Sequence, residues 1–349
     1  MQNNVRNINF DLLRIIAIIG VIFLHVSSPL HQTFAEPIIW WHIGNVYDSA
    51  VRWTVPVFFM ISGAFLLNKN EPINRFLKKR FSTILPSFFV WSVIYYFWEI
   101  KRQEDIGNIV EPSAKTFFYN FLNGNIYYHL WFIYTILGLY LVVPIIRLFV
   151  QNATKQHIQY FLLLWFFGNT VLTTLEIFLG IKVAIPLNLF TDYLGYMILG
   201  SYLNMIGMTK KSRIIIYTIS LIAFLAEIYG TYFLSVVANK GIYSYYFHHP
   251  FSITNILISI SIFIFFKHLN IKCLKTHTSV ITISWLSGIT LQVYFSHALV
   301  LDLLNQLSIN NNFITPIFAV PITSFLIAIL CYGVLSIIKY AYIKLRAAF

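Results

Sequence analysis

About ten long apolar runs, separated by short polar or basic stretches, govern what this chain can fold into. They lie at about 8–28, 51–67, 83–100, 128–149, 158–179, 186–206, 214–237, 251–268, 281–303 and 315–338. A helix needs roughly 20 apolar residues to cross the hydrocarbon core of a bilayer, and most of these runs approach that length. The alternating pattern of a membrane β-barrel is absent. Only 10% of the residues are charged, against about 25% in soluble domains. The expected fold is all-α and polytopic, with about ten transmembrane helices in one domain over residues 1–349.

The formal charge of +12 invites a nucleic-acid reading, but the placement of the cations opposes it. They cluster in short connections: Arg75, Lys78, Lys79 and Arg80; Lys210, Lys211 and Arg213; Lys267, Lys272 and Lys275; Lys339, Lys344 and Arg346. Such clusters mark the cytoplasmic side of a membrane. With the N-terminus inside, the 24 Lys and Arg divide into seventeen cytoplasmic, six external and one intramembrane. An N-in/C-in topology is therefore expected, with 29–50 and 101–127 as the longest external loops and Trp40 and Trp41 in an interfacial belt. Asp11 and Arg14 abut the apolar core of the first run and no small-residue cleavage site follows, so that run reads as a retained helix rather than a signal peptide. Cys273 and Cys331 fall in a predicted loop and the last span, which favours neither a disulfide nor a metal site.

The first run contains two residues that are hard to keep in lipid, Arg14 and His25. A guanidinium at membrane depth costs at least ~2.5–3.5 kcal/mol on insertion scales, so it marks a candidate functional site. Eleven positions of α-helix make three turns plus about 20°, placing both side chains on one face with roughly 16 Å of rise between them. Spacing alone is weak, since chance supplies roughly 0.7 such pairs in a chain of this composition. The bland alternative pairs Arg14 with Asp11 one turn away and leaves His25 as an interhelical hydrogen-bonding group.

Several further blocks carry a resemblance. After DLLRIIAIIGVIFLHV come VPVFFMISGAFLL, with Pro56, Ser62 and Gly63, and a basic segment ending in RFLKKRFSTILP. YHLWFIYTILGLYLVVP follows, with His129, Trp131 and Pro144, then YLGYMILGSYL, with Gly195 and Gly200, and LQVYFSHALVL, with His297. Together and in this order they resemble the acyltransferase 3 family of integral membrane acyltransferases, of the stand-alone type acting on surface polysaccharides. Two positions depart from the family pattern: Gln292 stands where Gly is usual, and Ala298 where Pro follows the histidine.

The resemblance implies transfer of an acyl group, usually acetyl, from acetyl-CoA to a hydroxyl of a cell-envelope glycan or lipid-linked saccharide. It implies a multi-pass protein of the bacterial inner membrane with acetyl-CoA as co-substrate, no tightly bound cofactor, no metal and no nucleic-acid partner. His25 is the expected general base, since imidazole titrates near neutral pH; an acyl-imidazole role is the other option. Arg14, with a fork suited to phosphate oxygens, is expected to orient the acyl-CoA. Arg75, Lys78, Lys79, Arg80, Ser62 and Gly63 are expected on the donor side. His129, Trp131 and His297 are expected on the acceptor side, at a depth shared with Glu176, Asp192 and Asp302, which places His25 at the junction of a through-going cavity. Glu227 needs a partner that the sequence does not name, and the external pair His248–His249 lacks further ligands for a metal. A polysaccharide exporter or other polar-solute transporter, and a non-catalytic subunit of a glycan-assembly complex, are the alternatives.

Overall fold

The computed structural model describes residues 7–32, 34, 37–184 and 192–348, the side chains at 273, 275, 347 and 348 excepted. The described part of each apolar run is largely helix, and no strand occurs among the described residues. The helices are α1 (Ile8–Gln32), α2 (Ile38–Val51), α3 (Thr54–Leu66), α4 (Ile73–Asp105), α5 (Ala114–Asn123), α6 (Trp131–Asn152) and α7 (Lys155–Phe166). They continue as α8 (Leu172–Leu179), α9 (Tyr193–Met205), α10 (Lys210–Tyr232), α11 (Ile253–Lys267), α12 (His277–Ser287), α13 (Thr290–Gln306) and α14 (Pro316–Ala348).

Among the described residues, seven stretches are long and apolar enough to cross a membrane, and an eighth is the pair α12–α13, bent by 59°. The runs expected at 186–206 and 251–268 differ: α9 has 13 residues and α11 has 15, about 20 and 22 Å of helix. Residues 186–191 of the first run lie outside the described residues. Both short helices are enclosed by others, α9 against α3, α6 and α7 and α11 against α1, α3 and α10. A helix surrounded by protein has no need to match the bilayer thickness.

The outer helices show the inside-out pattern of lipid contact. On α10 the buried residues are Ser220, Ala223, Glu227, Gly230 and Thr231. Ile214, Ile215, Ile219, Leu221, Ile222 and Leu225 are exposed. Small and polar residues face the protein while branched aliphatics face outward, as packing in lipid requires. This is a polytopic α-helical membrane protein.

Three details position the site. The helix α1 is central and touches α2, α3, α11, α12, α13 and α14, so the face bearing Arg14 and His25 meets protein. The α3–α9 crossing brings backbones together: a Cβ on Gly63 would stand 1.8 Å from the Met197 carbonyl oxygen, and one on Gly200 2.1 Å from that of Met60. Finally, the break at Gly288 turns α13 so that His297 faces α1, while Ser287 at the end of α12 donates to Asp11 at 2.8 Å.

The two long external loops expected from sequence are instead largely helical. Within 29–50, α1 runs on through Pro29 to Gln32 and α2 follows. Trp41, Gly44, Asn45, Asp48 and Ser49 are its buried residues, the stripe of an amphipathic helix. Trp41 is consequently fully buried against Phe34, with ring centroids 5.3 Å apart, rather than interfacial. Within 101–127, α4 extends to Asp105 and α5 adds a short helix that the Ser113 hydroxyl caps at the N-terminus and Gly124, with φ 76°, closes.

Candidate functional site

His25 sits on α1 among imidazole and phenol rings delivered by three other segments. Its ring stacks on His297 of α13, with centroids 5.3 Å apart and planes inclined by 26°. Tyr128 meets it edge-on at 5.1 Å. His129, which precedes α6, packs edge-on to His297 at 5.1 Å and against Tyr95 of α4 at 4.9 Å. The structure thus brings the three histidines singled out from sequence into one cluster. His297 Nδ1 lies 2.6 Å from the Tyr294 carbonyl oxygen; as a donor to that carbonyl it leaves Nε2 as the lone-pair nitrogen. The Tyr294 hydroxyl in turn donates to the His129 carbonyl. Both departures from the family pattern find a place here: the Gln292 side chain bonds Ser87 and Trp91 of α4, and with Ala298 in place of Pro, α13 continues unbroken to Gln306.

His25 alone of the three faces two cavities. One, of about 150 Å³, is lined by Val21, Leu24, Val55, Phe58, Phe132 and Trp131 together with His25, His129 and Arg52. The other, of about 500 Å³ and more open, is lined by His25, Ser28, Gln32, Tyr128, Asp302, Asn305 and Asn310–Asn312. Along α1 the order is Val21 and Leu24, then His25, then Ser28 and Gln32. The smaller, apolar cavity therefore lies toward the Arg14 end and the larger, amide-lined one toward the far end. His129 and Trp131, expected on the acceptor side, line the smaller cavity, and His297 is buried behind His25. Glu176 and Asp192, expected at the same depth, are exposed and line neither cavity. Asp302 is held in place by Trp98, whose indole donates at 2.7 Å, and by the Tyr127 hydroxyl.

At the other end of α1, Arg14 donates to Asp11 at 2.9 Å and its guanidinium carbon lies 5.2 Å from the Phe65 ring centre. The local pairing with Asp11 is real, and a third of the Arg14 side chain remains exposed. The Ser62 hydroxyl donates to the Phe58 carbonyl at 2.9 Å, and Arg14 and Arg80 lie near the Tyr140 phenol. Arg75, Lys78, Lys79 and Arg80 belong to the first turns of α4 rather than to a loop. Arg75, Lys78 and Lys79 are exposed, whereas Arg80 turns inward over Phe76 and Tyr140. Arg147 of α6 covers the same Phe76 ring at 4.9 Å and donates to the Leu66 and Glu71 carbonyls. Gly63 serves the α3–α9 crossing described above.

A second polar cluster was not foreseen. Asp48 of α2 accepts from Arg52 through Nε and a terminal nitrogen and from the Ser28 hydroxyl at 2.7 Å. His31 and His248 stand 3.5 and 3.2 Å from its Oδ2. Burial holds the His248 imidazole well below its ordinary value, and its ring is met by Ser49 at 3.0 Å and Tyr243 at 2.7 Å. The ligand atoms of His31, Asp48 and His248 lie within 4.8 Å of one another, a spacing that suits a metal. The Arg52 guanidinium, however, already neutralises the only carboxylate of the three. Glu227 is fully buried, with Thr254 of α11 beside it.

Arg52, Asp48 and Arg147 escaped sequence reasoning because each sits at the edge of an apolar run, where it counts as a loop charge. The i,i+4 spacing of Asp48 and Arg52 was the available signal.

The family model described as "Acyltransferase domain", that of acyltransferase 3, matches residues 7–337. No curated protein and no solved structure matches the chain.

Proposed function

The chain belongs to the acyltransferase 3 family of membrane acyltransferases, and from that premise we propose that it transfers acetyl from acetyl-CoA to a hydroxyl of a cell-envelope glycan or lipid-linked saccharide. One observation carries the reading: His25 lies between two cavities of unlike size and chemistry. A cavity near 150 Å³ accommodates a group about the size of benzene, which suits an acetyl thioester head. The larger one, with its amides and the Asp302 carboxylate, suits a hydroxyl-rich ligand, since hydroxyls need partners for both donor and acceptor capacity.

In this reading His25 takes the proton from the acceptor hydroxyl as its oxygen attacks the thioester carbonyl carbon. The tetrahedral adduct collapses with loss of the C–S bond, and the thiolate recovers the proton from His25. Arg14 is too far along α1 to touch the reacting carbonyl. It orients the acyl-CoA at a distance, with Arg80, Ser62 and Tyr140 nearby and Arg75, Lys78 and Lys79 outside them. The proposed orientation puts the Arg14 end in the bacterial cytoplasm and the amide-lined cavity on the external side.

Mass spectrometry of envelope glycans from cells with and without the gene tests the reading. The acetyl increment is expected only where the gene is present, together with acetyl-CoA-dependent release of free thiol by the membranes. Substrate flux with no thioester consumed would favour a transporter instead.

A further inference from the structure

The apolar cavity has a second polar end. Besides the two histidines it is lined by Arg52, Tyr245, His248 and Asn255. A guanidinium is among the costliest groups to hold at such a place, and the fold supplies several partners to hold this one. Asp48, itself fully buried and bonded by Ser28, accepts from two Arg52 nitrogens. The Tyr245 ring centre lies 5.3 Å from the guanidinium carbon. A guanidinium carries five N–H donors, so two bonds to Asp48 leave donors for a ligand. The 10% of the Arg52 side chain that stays exposed belongs to a residue lining the cavity with His25.

We propose that Arg52 is a catalytic residue that donates to the thioester carbonyl oxygen in the apolar cavity and holds the oxyanion during acyl transfer, with Asp48 as its positioning residue. This rests on the acyltransferase reading. The acceptor oxygen forms its bond to the carbonyl carbon while His25 takes the hydroxyl proton. The carbonyl π electrons move onto the oxygen facing Arg52. They return as the C–S bond breaks, the sulfur leaves with its electron pair, and it takes the proton from His25. A fixed donor at the developing oxyanion lowers the barrier because it need not reorganise as charge appears.

The experiment compares variants of the full chain in its native membrane, which supplies the acceptor, following free thiol released from acetyl-CoA. Arg52→Gln alone strands the buried Asp48 charge, so the informative variant is Asp48→Asn with Arg52→Gln, which removes both charges. It is expected to accumulate, to keep its KM for acetyl-CoA within about threefold, and to lose kcat by on the order of 10²–10³-fold. Arg52→Lys keeps the ion pair without the fork and is expected to lose kcat about tenfold or more. It decides the matter if the double variant does not accumulate. A kcat within about threefold of wild type in either variant would overturn the proposal and make the pair structural. Absence of thiol release by the wild-type chain would instead remove the acyltransferase reading itself.

Discussion

His25 and His297 stack with ring centroids 5.3 Å apart, yet only His25 opens onto both cavities. The two imidazoles are therefore not equivalent. His297 Nδ1 is committed to the Tyr294 carbonyl and its ring is buried, so it supports the orientation of His25. His297→Phe keeps a stacked ring and is expected to lower kcat by about tenfold or less, well short of the 10²–10⁴-fold attached to a general base. Thiol release at saturating substrates checks it.

Arg14 lies roughly 16 Å along the helix from His25, too far to act on the carbonyl. Arg14→Lys replaces a planar fork with a point charge. The expected result is a rise of about tenfold or more in the KM for acetyl-CoA, so that turnover fails at ordinary donor levels, with a smaller change in kcat. A kcat loss at unchanged KM would place Arg14 in the chemical step instead.

In the proposed function the amide-lined cavity takes the acceptor. Asn310→Ala combined with Asn312→Ala removes hydrogen-bonding groups from its wall without touching the apolar cavity. The KM for the saccharide is expected to rise by about tenfold, in line with the loss of one or two hydrogen bonds at about 1 kcal/mol each, while that for acetyl-CoA stays put. Steady-state kinetics with each substrate varied in turn separates the two.

In the proposed function the smaller cavity limits the length of the acyl chain. Phe58 lines it and packs against Phe132, with ring centroids 6.0 Å apart. Phe58→Ala is expected to raise the butyryl-to-acetyl ratio of kcat/KM by about tenfold or more, since one methylene in an apolar pocket is worth about 1–3 kcal/mol. Competition between the two acyl-CoAs reads the ratio directly.

Much of this arrangement was legible in the sequence, for identifiable reasons. Apolar runs announce membrane helices because the bilayer leaves few alternatives, and the described part of every run is largely helix. Arg14, His25, His129 and His297 stood out because each is costly inside an apolar run. The sequence hid what depends on packing between distant segments. Trp41 looked interfacial until α2 closed on α1, and short α9 and α11 looked like full spans although they lie inside the bundle. His129 and His297 shared a depth with Asp302, but depth fixes one coordinate only. The turn at Gly288 and the approach of α6 decide which cavity each residue faces. Asp48 and Arg52 were missed because a buried ion pair at a helix junction looks, in sequence, like two loop charges.

The central claim is that His25 is the group through which the two cavities communicate chemically. The most direct measurement is the acetyl content of envelope glycans from cells carrying His25→Ala, with the variant confirmed in the membrane at the wild-type level. The account expects acetylation to be abolished in these cells and restored by the unaltered chain. Acetylation near the wild-type level in the variant would contradict it.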